Sequence, residues 1–184
     1  MKTIDNKQKL VAALSEKEIE VIENSKNTFA KYITLFLFYT GLRISEALSL
    51  NVSNVSNDYV ILSGKRKKKR TIKLSNKAKN IIKKLKEHAS QYRELEDDTP
   101  LFVSQKNTRL TRGQAYKLVK QYEKNGKPVR VSPHTMRHTF ATIALKRKVD
   151  IKHISTALGH QSTSTTQDIY QHSTIEDLYF VEEL

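Results

Sequence analysis

Ser132-Pro133-His134-Thr135-Met136-Arg137-His138 opens a stretch that runs on through Thr156-Ala157-Leu158-Gly159-His160 to Thr166-Gln167-Asp168-Ile169-Tyr170. Proline suits the first turn of a helix, where its missing N–H costs nothing, and Ser132 is a natural cap before it. A helix starting at Pro133 puts His134 and Arg137 one turn apart on one face, near the positive helix end that favours an anion. Phe140, Ile143, Ala144 and Leu145 are expected to form its buried side. Asp150 should cap the next helix, with Ile151, Ile154 and Leu158 turned inward and Gly159 ending it. His160 then falls just past a helix end, its ring free to point into a cleft. Tyr170 belongs to a last short helix or turn from about Ser164.

Working outward, Ser15 with Glu18 three residues on is a capping-box pattern and opens a short helix toward Ile22. Asn27 can cap a second helix in which Phe29, Ile33, Phe36, Leu37 and Tyr39 form a broad apolar face. Gly41 ends it, since glycine takes the left-handed cap conformation cheaply. Arg43 therefore follows a turn, at the start of a short helix over Ile44 to Leu50. Tyr59 to Leu62 and Arg70 to Leu74 are β-prone runs joined through the basic segment Lys65 to Lys69, which predicts a hairpin. Ser75 caps a long helix with Ala78, Ile81, Ile82 and Leu85 at helical spacing and lysines opposite. Glu94 to Pro100 reads as an acidic loop. Thr111 caps a helix carrying Tyr116, Leu118 and Val119 toward a break at Gly126-Lys127-Pro128. The expected fold class is mostly α with a small antiparallel β-hairpin sheet (α+β).

The 184 residues suit one domain with a real core. A formal net charge of +14 predicts an anionic partner, with nucleic acid first and an acidic membrane surface second. A solvated lysine-rich face is the bland alternative. The absence of cysteine excludes disulfides, cysteine-based zinc sites and cysteine nucleophiles. Met1 to Leu10 lacks the apolar core of a signal peptide, and Ile33 to Tyr39 is too short to span a bilayer. A cytoplasmic, nucleoid-associated protein is the expectation.

The chemistry that fits these residues is attack by a phenol on a phosphodiester. The transition state carries charge on its non-bridging oxygens, which guanidiniums bind bidentately. Tyrosine ionises near pH 10, so it needs a base or strong positive potential beside it. The leaving oxygen needs a proton, which a nearby lysine can supply. A covalent phosphotyrosine conserves the bond energy, so strands can be rejoined without ATP.

On these residues the sequence resembles the catalytic domain of the tyrosine recombinase (phage integrase) family. Thr40-Gly41-Leu42-Arg43-Ile44-Ser45-Glu46 resembles the family's first-arginine motif, which implies Arg43 as a phosphate-binding residue and Glu46 as a supporting acid. Gly64-Lys65-Arg66-Lys67-Lys68-Lys69-Arg70 resembles its β-hairpin, which implies Lys65 as general acid, Lys68 in reserve, and Lys65, Arg66, Lys67, Lys68, Lys69 and Arg70 on DNA. Pro133 to His138 matches the His-x-x-Arg box, giving His134 and the second arginine, Arg137. Leu158-Gly159-His160 matches the third histidine motif, and Ser164 to Tyr170 the nucleophile segment. The spacing from His160 to Tyr170 is one residue longer than most of the family uses, through Asp168.

The resemblance implies a chain made of a flexible lead-in at 1–13, a catalytic domain over 14–172 and a tail at 173–184. It further implies double-stranded DNA as partner and a homotetramer on DNA, weakly associated or monomeric without it. The tail carries Ile175, Leu178, Tyr179, Val181 and Leu184 and is expected to dock on a neighbouring protomer. The family's N-terminal DNA-gripping domain has no counterpart here, so both a fragment and a minimal recombinase akin to fimbrial inverters stay open. Modest, salt-sensitive binding aided by accessory DNA-bending proteins is expected. No cofactor and no metal is implied.

Each residue also has a plainer reading. Arg43 alone would be an ordinary helix-start charge. His134 and His138 have a zinc-ligand spacing, but Thr135 stands where the metalloprotease form needs Glu. His138 reads as a packing residue, and His88, His153 and His172 as surface. Tyr32, Tyr39, Tyr116 and Tyr122 read as packing on helical faces. Two other functions compete: a non-catalytic DNA-binding regulatory module, and a type IB topoisomerase, which resembles the family but has Lys where His134 stands.

Overall fold

The computed structural model describes residues 12–63, 69–124 and 127–159. Lys65, Arg66, Lys67, Lys68, His160, Tyr170, the lead-in to residue 11 and the tail at 173–184 lie outside them. The elements are α1 (Glu16–Glu23), α2 (Thr28–Thr40), α3 (Ile44–Leu48), a 3-10 turn (Val52–Asn54), β1 (Tyr59–Ser63), β2 (Lys69–Lys73), α4 (Asn76–Ser90), α5 (Arg112–Val119), β3 (Glu123–Lys124), β4 (Lys127–Pro128), α6 (Pro133–Lys146) and α7 (Ile151–Leu158). The expected class holds: helices dominate, with a small antiparallel hairpin.

Helix α2 is the axis, packed against α1, α4, α5 and α6. Five consecutive residues, Ile33 to Leu37, are buried, so the helix is enclosed on nearly every side rather than amphipathic. Its one polar member in that run, Thr34, satisfies its hydroxyl on the Ala30 carbonyl at 2.8 Å. The expected caps form. Ser15 donates through its N–H and its hydroxyl to Glu18 Oε2 at the start of α1, Asn27 accepts from the Ala30 N–H, and Ser75 from the Ala78 N–H. Ala78, Ile81, Ile82 and Leu85 of α4 face the core as their spacing requires.

Strands β1 and β2 pair antiparallel from Tyr59↔Lys73 to Ser63↔Lys69. Val60, Leu62 and Ile72 point into the core, and Tyr59 and Ile61 point out. Helix α5 stops at Val119, and the chain then makes a second, two-residue hairpin of β3 and β4, which the sequence reading missed. Such short strands carry no periodicity to detect.

Two side-chain assignments need correction. Phe140, Ile143, Ala144 and Leu145 are only partly buried; the enclosed face of α6 is instead Thr135, Met136, Thr139, Ala141 and Thr142. Thr139 hides there with its hydroxyl on the Thr135 carbonyl one turn back at 2.8 Å, and the Thr135 hydroxyl pairs with that of Ser132 at 2.8 Å. Tyr122 lies off any helix, in the segment before β3, buried with its hydroxyl donating to Thr34 Oγ1.

Candidate active site

Helix α2 ends where Gly41 turns left-handed, at φ 64°. A side chain there is excluded twice: by that conformation, and by Phe140 of α6, whose Cδ1 would lie 2.6 Å from a Cβ. This close approach brings α6 onto the end of α2 and lets Arg137 reach it. Arg137 Nη1 donates to the Gly41 carbonyl at 2.8 Å, and Nη2 to the Leu158 carbonyl at 2.7 Å. Leu158 ends α7, so the guanidinium sits at the negative end of that helix.

Arg43 follows two residues after Gly41 and precedes α3. Its backbone N–H donates to Glu46 Oε2 at 2.8 Å, and its Nη1 lies 3.3 Å from Glu46 Oε1 and 3.5 Å from the Leu158 carbonyl. The Leu158 carbonyl therefore receives both arginines predicted to bind phosphate. Burial pushes the Arg137 pKa down to about 10, with the charges of Arg43 and Arg70 adding to the effect and Glu46 opposing it. Arg137 is still a cation at neutral pH. A bound anion would relieve the repulsion between these neighbouring cations.

His134 is exposed on the first turn of α6, one turn from Arg137. His138 is half-buried, and burial holds its imidazole below the usual value, which suits the packing role read from the sequence. Arg43 and Glu46 are thus placed at the start of α3, and His134 and Arg137 at the start of α6. Lys65, His160 and Tyr170 lie outside the described residues, as do Arg66, Lys67 and Lys68.

Arg70 is more than one charge of a basic run: its side chain is 20% exposed, with Nη2 3.2 Å from Glu46 Oε2. The signal was in the sequence: alternation over Arg70, Ile72 and Leu74 puts Arg70 in the core-facing row. Arg109 was also missed. It donates to the carbonyls of Leu48 and Leu50 and to the Asn51 side chain, closing the segment after α3.

His88 is not a surface residue. It stacks on Phe29 with ring centroids 3.9 Å apart and meets Tyr92 edge-on. His153 is exposed as expected. Two tyrosines are poorly suited to nucleophilic attack near neutral pH. Burial and a hydrogen bond to Glu23 drive the Tyr39 phenol far above its ordinary range, and burial pushes Tyr122 up to about 12. Among the described residues no cluster of three or more His, Asp or Glu could hold a metal, and no helix is long and apolar enough to cross a membrane.

Comparison with known proteins gives these residues a context. The sequence matches the phage integrase family over residues 3–177. It is 34% identical over 183 residues to tyrosine recombinase XerC of Thermodesulfovibrio yellowstonii, covering 96% of this chain and 58% of that protein. It is 35% identical over 185 residues to tyrosine recombinase XerD of Oceanobacillus iheyensis, covering 94% of this chain and 62% of that one. The crystal structure of XerA recombinase superposes with a TM-score of 0.77 at 29% identity, over 91% of this chain and 62% of that one. The Tn1549 transposon integrase, solved in complex with transposon right end DNA, shares the fold with a TM-score of 0.76 at 22% identity, over 95% of this chain and 66% of that one. The chain spans about three fifths of the length of the curated relatives it matches.

Proposed function

The chain belongs to the phage integrase family, and we propose that it carries the strand-cutting and strand-joining centre of a tyrosine-type site-specific DNA recombinase. The observation that carries this reading is the convergence of Arg43 and Arg137 on the Leu158 carbonyl with the Glu46 carboxylate beside Arg43. Two guanidiniums oriented partly by backbone carbonyls keep most of their charge for an incoming phosphate.

In the proposed reaction Arg43, Arg137, His134 and His160 hold a scissile phosphate of duplex DNA. The Tyr170 hydroxyl attacks phosphorus, its proton passing to a neighbouring base, for which His134 and His160 are the candidates. A phosphorus–oxygen bond to Tyr170 forms as the bond to the 5′-oxygen breaks. Lys65 gives that oxygen its proton, leaving a 3′-phosphotyrosyl link and a free 5′-hydroxyl. The 5′-hydroxyl of a partner strand reverses the step with new connectivity. Atoms and charge balance without ATP, metal or cofactor.

The same reading has four chains acting on two duplexes to integrate, excise or invert a mobile or switchable element, with DNA-bending proteins assisting. The names of the relatives, tyrosine recombinases, support site-specific recombination, and the DNA bound to the Tn1549 integrase supports duplex DNA as the partner. Strand exchange between a labelled and an unlabelled duplex bearing the same target site, selected beforehand from random-core nicked duplexes by covalent trapping on this chain, tests it in EDTA and without ATP. Exchange that needs that site supports the reading. Supercoil relaxation with no sequence requirement would favour a topoisomerase, and binding without any strand cutting would favour a regulatory module.

A further inference from the structure

Arg70 stands where the hairpin calls for an apolar side chain. Its cross-strand partner is Leu62, one step from Val60↔Ile72, so it shares the row that these three buried residues turn into the core. A charge in that row is costly unless something offsets it. The offset is Glu46, whose Oε2 lies 3.2 Å from Nη2 while its Oε1 meets Arg43. Nε and Nη2 are enclosed with no hydrogen-bond acceptor among the described residues, so charge and packing hold the group in place there.

The packing partner is Gly159. It has φ 66°, and a Cβ built on it would lie 1.4 Å from Arg70 Nη1 and 2.7 Å from Cζ. The guanidinium therefore lies directly on the glycine backbone at the end of α7. One strand of the hairpin, the segment of Arg43 and Glu46, and the end of α7 all meet at this side chain.

We propose that Arg70 is a positioning residue for strand cleavage: braced between Glu46 and the Gly159 backbone, it locks the hairpin strand leading from Lys65 against the Arg43–Arg137 pair. This rests on the recombinase reading above and adds to it a residue that its chemistry does not itself use. Counting Arg70 among the DNA contacts, as the charge run alone suggests, leaves its burial unexplained. Lys65 lies five residues before Arg70, so loosening Arg70 should misplace the general acid first.

The test uses the whole chain and a DNA probe obtained by covalent capture. Nicked duplexes with a random core are trapped by the wild-type chain, sequenced and resynthesised with either oxygen or sulphur at the bridging 5′ position. A 5′-thiolate leaves without a proton, so sulphur DNA bypasses the general acid. Arg70→Met should form adduct about 100-fold more slowly on oxygen DNA, the scale of a lost general acid. On sulphur DNA it should react at close to the wild-type rate, and its affinity for either duplex should be unchanged. Gly159→Ala, which expels the guanidinium, should show the same split, and the double variant should be no slower than Arg70→Met alone. Arg70→Met at wild-type speed on oxygen DNA, equally slow on both substrates, or slowed only in step with lost affinity would overturn the assignment. Failure of the wild-type chain to form an adduct on either DNA would remove the recombinase reading itself, and the assignment with it.

Discussion

Arg137 donates through Nη2 to the carbonyl of Leu158 at 2.7 Å, so the second arginine of the site is aimed by a helix end. A backbone carbonyl orients a guanidinium without neutralising it, unlike a carboxylate. With Nη1 on Gly41, the fork is fixed at two points that belong to two different helix termini. The tertiary packing of α2, α6 and α7 is thereby converted into the direction of one charge.

Arg137→Lys keeps the charge but cannot span both carbonyls. Covalent strand cleavage should fall by about 10²–10³, the scale of losing one preorganised oxyanion donor. Duplex affinity should change only a few-fold, since one cation in a strongly basic chain remains. Single-turnover adduct formation beside a binding titration separates the two; equal losses in both would mean that Arg137 serves binding alone.

Gly41→Ala should destabilise the fold by about 2–4 kcal/mol, combining the left-handed backbone with over-packing against Phe140. Urea unfolding followed by circular dichroism measures it. Phe140→Ala in the same chain should remove the steric part and leave the backbone part. A neutral Gly41→Ala would show that α6 does not press on the α2 terminus as described.

Much of this was legible in the sequence because the decisive residues sit at chain-local signals. Ser132-Pro133 and Gly41 mark helix ends by backbone chemistry alone, and they fix where Arg43, His134 and Arg137 fall along the chain. What the sequence could not show depends on contacts between distant segments. The Leu158 carbonyl as a common anchor joins residues 43, 137 and 158, which no local pattern connects. The threonine face of α6 was hidden because polarity scales count every hydroxyl as exposed, including that of Thr139, which the helix itself satisfies. Arg70 was readable from strand alternation, but the run of like charges around it masked the alternation.

Acid should weaken the fold before it reaches the carboxylates. Burial lowers the pKa of His88 and of His138 below 6.5, with a backbone hydrogen bond to Val103 partly opposing it at His88. The neutral rings are thus favoured in the folded chain, and the unfolded chain takes up protons first as pH falls through 6.5. Stability is full above that pH and declines below it until the folded-state values are passed. The slope is at most about 1.4 kcal/mol per pH unit for each proton, reduced here by partial exposure. Urea midpoints between pH 7.5 and 5.5 should fall with acidification, and His88→Phe should flatten the trend. A midpoint independent of pH over that range would contradict it.

Removing Asp177 to Leu184 should impair recombination more than DNA binding, because the apolar residues of that tail are proposed to dock on a neighbouring protomer. Recombination yield and duplex affinity, measured on the same truncated chain, decide it. Equal loss in both would rule out docking in trans.

The most direct test is to trap the chain on a nicked suicide duplex and compare it with Tyr170→Phe. A protein–DNA adduct that survives denaturant, maps to Tyr170 by mass spectrometry and disappears in the variant is the expected result. An adduct that persists in Tyr170→Phe, or strand cutting that leaves no protein on the 3′ end, would contradict the proposed chemistry.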